Sequence, residues 1–429
     1  MTEVLADLVL LSNGPGELST WVRPVLQALR ARSQFSRVSI LLSPCPHAGG
    51  HEAAVAATFP GVDRVLEPQQ FFPFLLWGKT PNPWQWHPQG VVVFLGGDQF
   101  YAVAIGKRLG YRIVTYAEWT PRWLPWIDAC GVTQAHMLQR VPRRYRSKVS
   151  VVGHLMTDIQ PSTDAIACLQ GFGWDANTEI VGLLPGSKPA KLRVGVPFCL
   201  GIADQLHHHR PQTQFVIPVA PGVSIETLKQ YADPTQNALI SKFAGSTAVL
   251  NRSERGLAYL CTPNGTPVWL WPCCPAYDLF RHCQVCVTTV GANTAELTAL
   301  AIPMLVVIPT QQLEFIRVWD GGWGLVTQLP LVGTPLAALV NRCILSRGLG
   351  LKAWPNIWAG QEIVPEHVGQ VYPDAIAQHL QHLLNAPTAL QQMQTDLRAV
   401  RGKTGAATRL ARLIENTLAA DPQNASASL

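Results

Sequence analysis

From residue 5 onward, short unbroken apolar runs alternate with longer stretches whose apolar residues recur at helical spacing. Short runs rich in Val, Ile and Leu read as buried strands, and their alternation with helical patterns is the sequence sign of parallel sheets covered by helices. The first half predicts strands at LADLVLLS, VSILLS, VDRVL, VVVFLGG, YRIVTYA, IDACGV and KVSVVGH. A second series follows at EIVGLLPG, QFVIPVA, STAVL, VCVTTVG and IPMLVVIP. Between the two, residues 160–178 have the polar and turn residues of a linker. Three helical patterns, DAIAQHLQHLLN, ALQQMQTDLRAVR and AATRLARLIENTLAA, close the chain before a polar DPQNASASL that is expected to fray. The economical inference is an α/β protein of two Rossmann-like units, 1–165 and 166–385, with C-terminal helices and tail over 386–429. Open parallel sheets bind ligands beyond the carboxyl ends of their strands, so functional residues are expected just after these runs.

Composition narrows this picture. The 429 residues suffice for two cores, and 48% hydrophobic with only 14% charged residues implies large cores or some apolar surface. A net charge of +6 suits an acidic ligand or an anionic membrane face. The basic residues are spread along the chain, which argues against nucleic acid. The opening MTEVLADLVLLSNGPGE starts acidic and breaks into Gly and Pro before a signal-peptide core could finish, so a cytoplasmic protein is expected. No window approaches the ~18–20 apolar residues of a membrane span, which makes any membrane contact peripheral.

Ten scattered cysteines are most simply reduced thiols. Cys283 and Cys286 have the spacing of a zinc half-site, but Cys286 opens a buried-strand pattern and no second Cys/His pair lies at finger-like spacing. No metal is therefore assigned. The His triplet at 207–209 ends a helical pattern, where cationic groups suit the helix dipole. Residues 71–88, FFPFLLWGKTPNPWQWHP, are dense in aromatics, and Pro73, Pro81, Pro83 and Pro88 argue against a long regular helix. The segment is either surface for a membrane interface or a Trp-rich loop packed on its own domain.

Candidate chemistry sits at four strand-to-helix turns. In LLPGSK, Pro185, Gly186 and Ser187 end a strand before a helix, aiming backbone N–H groups and a positive helix end above the sheet. Lys188 adds a full charge, while the missing half of a Walker A loop disfavours an NTPase. At TTVGANTAELTAL, Gly291 breaks a strand, Asn293 and Thr294 are placed to cap a helix, and Glu296 either serves the dipole or accepts from a ribose. Two anion-ready turns in one Rossmann-like half suggest a nucleotide diphosphate. In the first half, VVVFLGGDQF delivers Gly96, Gly97 and Asp98 to a strand end, where Asp98 is either a general base or a helix cap. SNGPGELSTW puts Gly14, Gly16 and Glu17 after the first strand without the dinucleotide Gly spacing, so NAD is not expected.

These residues resemble the lipid-A-disaccharide synthase family of GT-B glycosyltransferases. The family's G-E-x-S-G-D is matched by Gly16, Glu17 and Ser19, with Thr20 and Trp21 in place of its Gly and Asp. Its G-I-D resembles Gly96-Gly97-Asp98, its F-V-G-H-P resembles VVGHL, and its L-P-G-S-R resembles LPGSK with Lys188 for Arg. Its S-G-T-A-x-x-E is similar to the stretch from Gly291 to Glu296. L-P-N-L-L-A-G and E-L-V-x-E are similar to WPNIWAGQEIVPE, bringing in Asn356, Gly360 and Glu366. The family's P-D-F-N after the base is missing, so the chain looks like a lipid-A-disaccharide synthase-related branch.

The resemblance implies two Rossmann-like domains facing across a cleft, and a UDP-sugar donor bound mainly by the second. Its diphosphate would rest on Gly186, Ser187 and Lys188, with Asn293, Thr294, Glu296 and Asn356 around the nucleotide. Gly16 and Glu17 would join the ligand-binding set. Asp98 would take the proton of an acceptor hydroxyl as it attacks the anomeric carbon with inversion, without an obligatory metal or other cofactor. A glycolipid or lipid-phosphate acceptor would make residues 71–88 a membrane contact on the inner face of the cell membrane. The family also implies a homodimer through the C-terminal helices. The alternatives are a UDP-sugar epimerase, another GT-B transferase with a soluble acceptor, or a degenerate protein that only binds sugar nucleotide or lipid.

Overall fold

The computed structural model describes residues 3–32, 34–45, 50–159, 165–273, 275–309 and 350–420. The chain divides into two units: Met1–Ile159 with Gly402–Leu429, and Gln160–Arg401. The C-terminal segment, read from the sequence as one piece from residue 386, is thus shared between them. The tail at 421–429 and residues 160–164 lie outside the described residues. Within the segment read as a linker, Ala165–Phe172 is helical.

The first unit is built on a parallel sheet with order β3-β2-β1-β4-β5-β6-β7. Its strands are β1 (Glu3–Ser12), β2 (Gln34–Leu42), β3 (Arg64–Leu66), β4 (Gly90–Phe94), β5 (Arg112–Ala117), β6 (Ala129–Val132) and β7 (Val149–Val151). Side chains alternate across the pleat, so Leu8 and Leu10 of β1 face one layer and Val9 and Leu11 the other. The first layer contains α1 (Arg23–Arg30), and the second contains α2 (Pro68–Trp77) and α3 (Gln99–Leu109).

One fully buried carboxylate organises the sheet. Asp7 of β1 pairs with Arg37 Nε at 2.9 Å and accepts from the His87 N–H at 2.8 Å and the Tyr111 hydroxyl at 2.7 Å. Burial, reinforced by that hydrogen bond, pushes the Tyr111 hydroxyl well above its ordinary pKa. Beside it the Arg64 guanidinium lies 4.4 Å from the rings of both Trp84 and Trp86, so those two tryptophans of 71–88 pack on their own domain.

The remainder of 71–88 divides sharply. Residues 71–77 belong to the ten-residue α2, with Pro73 inside it, and Gly78, in the left-handed conformation at φ 70°, ends the helix. Phe71, Phe74 and Leu75 are buried, whereas Phe72, Leu76 and Trp77 are 45%, 55% and 65% exposed. More aromatics are exposed near the start of α3 and on the β5–β6 loop: Phe100, Trp119, Trp123 and Trp126. Trp123 stacks on Trp126 with ring centroids 5.4 Å apart and lies 5.0 Å from Phe100. Its φ of 59° is a left-handed conformation that L residues rarely adopt, at a cost of about 1–2 kcal/mol.

The second unit's sheet has the order β10-β11-β12-β9-β8-β13-β14-β15. The strands are β8 (Ile180–Leu184), β9 (Gln214–Pro218), β10 (Val249–Arg252), β11 (Ala258–Cys261), β12 (Pro267–Trp271), β13 (Cys283–Thr288), β14 (Met304–Pro309) and β15 (Glu366–Gly369). From β12 through β15 the pairing is parallel, but β10, β11 and β12 form an antiparallel meander that the all-parallel reading missed. Asn264-Gly265, with Gly265 at φ 84°, is the hairpin signal that could have revealed it.

A long helix, α4 (Pro189–His209), follows β8 and ends at the His triplet, while α5 (Ala292–Ala299) follows β13. Then come α6 (Trp354–Ala359), α7 (Pro373–Leu384) and α8 (Pro387–Arg401). Leu200 and Leu206 of α4 and Ile376 and Leu380 of α7 share one core with the sheet.

The last helix, α9 (Ala406–Ala419), returns to the first unit. Ala407, Leu410, Ala411 and Ile414 are buried in the same core as Leu8 and Leu10. Gly131 of β6 permits the approach, because a Cβ there would come within 3.1 Å of Leu410. The Asp158 carboxylate accepts from the N–H groups of Gly405 and Ala407, satisfying the helix's free amino end.

Candidate functional site

In the second unit, β8 and β13 are neighbours, with Leu184 opposite Thr288, so the turns that follow them lie side by side. After β8, Gly186 at φ 105° bends the backbone, and Lys188 takes an extended conformation to start α4. The Lys188 carbonyl accepts from the N–H groups of Lys191 and Leu192, both at 2.9 Å. Pro189 occupies the first helical position, where its missing N–H costs no hydrogen bond. Ser187 is exposed and Lys188 half-buried.

After β13 the chain turns at Gly291, at φ 152°, into α5. Asn293 is half-buried at the start of this helix. Thr294, expected near a nucleotide, is fully buried and donates its hydroxyl to Gly291 O at 2.8 Å, so it braces the turn from below. Burial pushes the Glu296 carboxyl up to about 7, against the opposing effect of a hydrogen bond from Tyr277.

The two turns are tied together by Lys191, which the sequence reading did not select. From the first turn of α4 its Nζ reaches Val290 O at 2.8 Å and Thr289 Oγ1 at 3.5 Å. Gly186 makes room for it, since a Cβ there would press on Lys191 Cβ at 2.9 Å. Gly186, Ser187, Lys188 and Asn293 are therefore brought to one end of the sheet around a further cation.

Asn356 corrects the expectation made for it. It is fully buried, donating from Nδ2 to Val364 O and Glu366 Oε1 and accepting at Oδ1 from the N–H groups of Ile363 and Val364. Two donors and two acceptor sites are all its amide offers, and all are spent on its own loop. Glu366 in turn accepts from the N–H groups of Lys352 and Ala353. Together they fix α6, which packs on α5, so Asn356 supports the second turn at a distance.

The first unit carries its own set at the carboxyl ends of β1, β4 and β5. Gly16 and Glu17 follow β1 in a short helical turn that runs into a five-residue π-helical turn, Leu18–Val22, with Thr20 Oγ1 donating to Gly16 O at 2.8 Å. The Glu17 carboxylate folds back over Gly14, where a Cβ would collide with Oε2. Trp21 of the same turn meets Tyr116 of β5 edge-on at 5.3 Å.

Asp98 is exposed, and its Oδ1 accepts from the Phe100 N–H at 2.8 Å, so it caps α3. A Cβ at Gly97 would lie 2.6 Å from Ser43 Oγ, and one at Gly96 2.8 Å from Asn13 Oδ1. Bare glycines are thus required for β4 to deliver Asp98 so close to the ends of β1 and β2.

Two further groups were not selected as site residues from the sequence, although His154 lies in the VVGHL stretch matched to the family. Glu118, immediately after β5, is pushed up to about 7 by burial and then by the charge of Glu17, against a hydrogen bond from Trp119. His154, after β7, has Nε2 3.3 Å from Gln134 Nε2, and burial lowers its pKa. For Glu118 a signal existed: a carboxylate directly at a strand end, in VTYAE. Cys283 and Cys286 are buried in β13, where the hydrogen bond with Cys286 and burial raise the Cys283 thiol well above its ordinary pKa. Among the described residues no group of three or more His, Cys, Asp or Glu could hold a metal ion, and no helix is long and apolar enough to cross a membrane.

No family model matches the chain. Curated relatives do. Lipid-A-disaccharide synthase of Geobacter sulfurreducens is 25% identical over 313 residues, 70% of this chain and 67% of that protein. The Anaeromyxobacter sp. (strain K) enzyme of the same name is 26% identical over 320 residues, 71% and 69%. Among solved structures, UDP-GlcNAc 2-epimerase from Neisseria meningitidis bound to UDP-GlcNAc superposes with a TM-score of 0.51 at 12% identity, covering 97% of this chain and all of that one. A UDP-glucosyltransferase from Polygonum tinctorium gives 0.52 at 12% identity, covering 98% and 100%. By sequence the chain is a divergent relative of the lipid-A-disaccharide synthases, and by structure it has the GT-B fold.

Proposed function

We propose that the protein is an inverting glycosyltransferase that moves a glucosamine-type, acylated sugar from a UDP-sugar to a glycolipid or lipid-phosphate acceptor. The observation that carries this reading is the pair of adjoining turns after β8 and β13, where Gly186, Ser187 and Lys188 lead into α4 and Asn293 opens α5 at the same end of a parallel sheet. The donor diphosphate rests there. As the bond from the anomeric carbon to UDP breaks, the charge developing on the leaving phosphate is stabilised by backbone dipoles and Lys188. Asp98 takes the proton of the acceptor hydroxyl as that oxygen bonds to the anomeric carbon from the opposite face.

The exposed aromatics of α2 and the β5–β6 loop favour an acceptor held at a membrane surface, with the protein peripheral to its inner face. A homodimer through the C-terminal helices belongs to the same proposal. The fold itself is common to transferases and epimerases; the names of the sequence relatives favour the transferase.

Calorimetric titration with UDP and UDP-GlcNAc tests the donor. Lys188→Ala is expected to weaken UDP about 10- to 100-fold, the loss of a charge-assisted contact. Failure of the wild-type protein to bind either ligand would remove the donor assignment. Asp98→Asn tests the base cleanly, because Asn caps a helix as well as Asp does and the fold is kept. UDP affinity should persist while turnover with an acylated donor falls about 100- to 10,000-fold. Wild-type turnover in that variant would show that another group takes the proton.

A further inference from the structure

Lys191 is half-buried, and among the described residues its ammonium donates to a carbonyl and a hydroxyl. Among the described residues no carboxylate pairs with it, although ammonium groups withdrawn from water ordinarily find one. A second cation makes the position costlier still: the Lys188 charge adds to burial in lowering the Lys191 pKa. The backbone nevertheless bends to admit Lys191, with Gly186 bare beside its Cβ and the Cβ position of Gly291 3.6 Å from its Nζ. Lys191, without a carboxylate among the described residues and with a second lysine nearby at the meeting of two strand-to-helix turns, makes a site short of negative charge.

Resting on the UDP-sugar reading of the same turns, we infer that Lys191 is a second diphosphate ligand, spanning the β8–α4 and β13–α5 turns and recognising doubly charged phosphoanhydrides. Val290 O and Thr289 Oγ1 hold the ammonium in place before the ligand arrives, so little side-chain freedom is lost on binding. An N–H not engaged by Val290 donates to a phosphate oxygen. Lys188 approaches the anion from the helix cap, and Lys191 approaches it from the seam between the turns. Recognition is therefore divided between two flexible point charges, in contrast to one planar guanidinium fork.

Titration of the full chain with UDP, uridine and inorganic pyrophosphate separates the possibilities, using Lys191→Met, which keeps the side chain's length, and Lys191→Arg. The expected result is an about 10- to 100-fold loss of UDP and pyrophosphate affinity in Lys191→Met. Uridine affinity should be unchanged, and Lys191→Arg should recover part of the loss. Equal weakening of UDP and uridine would mean that Lys191 only braces the turns, and unchanged UDP affinity would mean that it does not touch the anion; either overturns the inference. Wild-type protein that binds pyrophosphate but not UDP would remove the nucleotide reading and leave the two-lysine anion seat standing. Wild-type protein that binds none of the three would remove both.

Discussion

Replacing Asp7 by alanine is expected to destabilise the first unit by about 3–5 kcal/mol, the range for breaking a buried, hydrogen-bonded charge pair from one side. The carboxylate is fully buried in β1 and holds Arg37, the His87 N–H and the Tyr111 hydroxyl at once. Its loss leaves the His87 N–H and the half-buried Arg37 without their carboxylate, while the Tyr111 hydroxyl keeps only its hydrogen bond to His87 O. Asp7→Asn keeps the shape and some of the hydrogen bonds, so it should cost less than Asp7→Ala. Urea denaturation followed by amide exchange in β1 and β5 reads the effect in the right unit, since the two units need not unfold together. Equal protection in Asp7→Ala and wild type would mean that the network contributes nothing.

Stability should also fall as the pH rises from about 5 to 8, partly through Glu118. Its carboxyl titrates at about 7 in the folded chain against an ordinary 4.5. The folded state therefore holds this proton more tightly than the unfolded state does. The stabilisation is complete below about 4.5 and is lost as the pH passes through about 7. Partial exposure reduces the effect, leaving about 1–2 kcal/mol. Glu118→Gln should match wild type at pH 5 and exceed it by about that amount at pH 8. Glu296, also pushed up to about 7, predicts the same sign for the second unit. Thermal melts at the two pH values decide it, and an unchanged difference between variant and wild type would show that Glu118 ionises normally.

The turns were legible because each is local. An apolar run, a glycine and a capping residue within ten positions specify where a strand stops and what stands above it, and Gly186, Gly291 and Asp98 were found in this way. Lys191 was not, since its importance lies in reaching Val290 of another strand's turn, a contact that no local spacing encodes. Asn356 was read as a ligand because a polar residue in a motif looks the same whether its amide faces a nucleotide or its own loop. Glu118 lacked a local partner in the sequence; the charge that helps raise it belongs to Glu17, two strands away in the sheet. The meander of β10 to β12 was lost because its half-buried strands lack the solid apolar runs that identify parallel ones.

Helix α9 gives the chain an unusual order of manufacture. Leu410 and Ile414 complete the core that Leu8 and Leu10 begin, so the ribosome finishes the first unit last. Until residues near 414 emerge, the part of β4, β5 and β6 that α9 covers is open to water and to other nascent chains, although α1 already packs on Leu8 and Leu10, while the second unit has all the sequence its own core requires. Closing so long a loop costs only slowly more entropy as the loop lengthens, but it is slow and comes late in folding. Chains ending at residue 401 and released from the ribosome should therefore carry a folded second unit and a protease-sensitive first one. Placing the closing helix after the second unit leaves the first unit's core unfinished until translation has passed through the second.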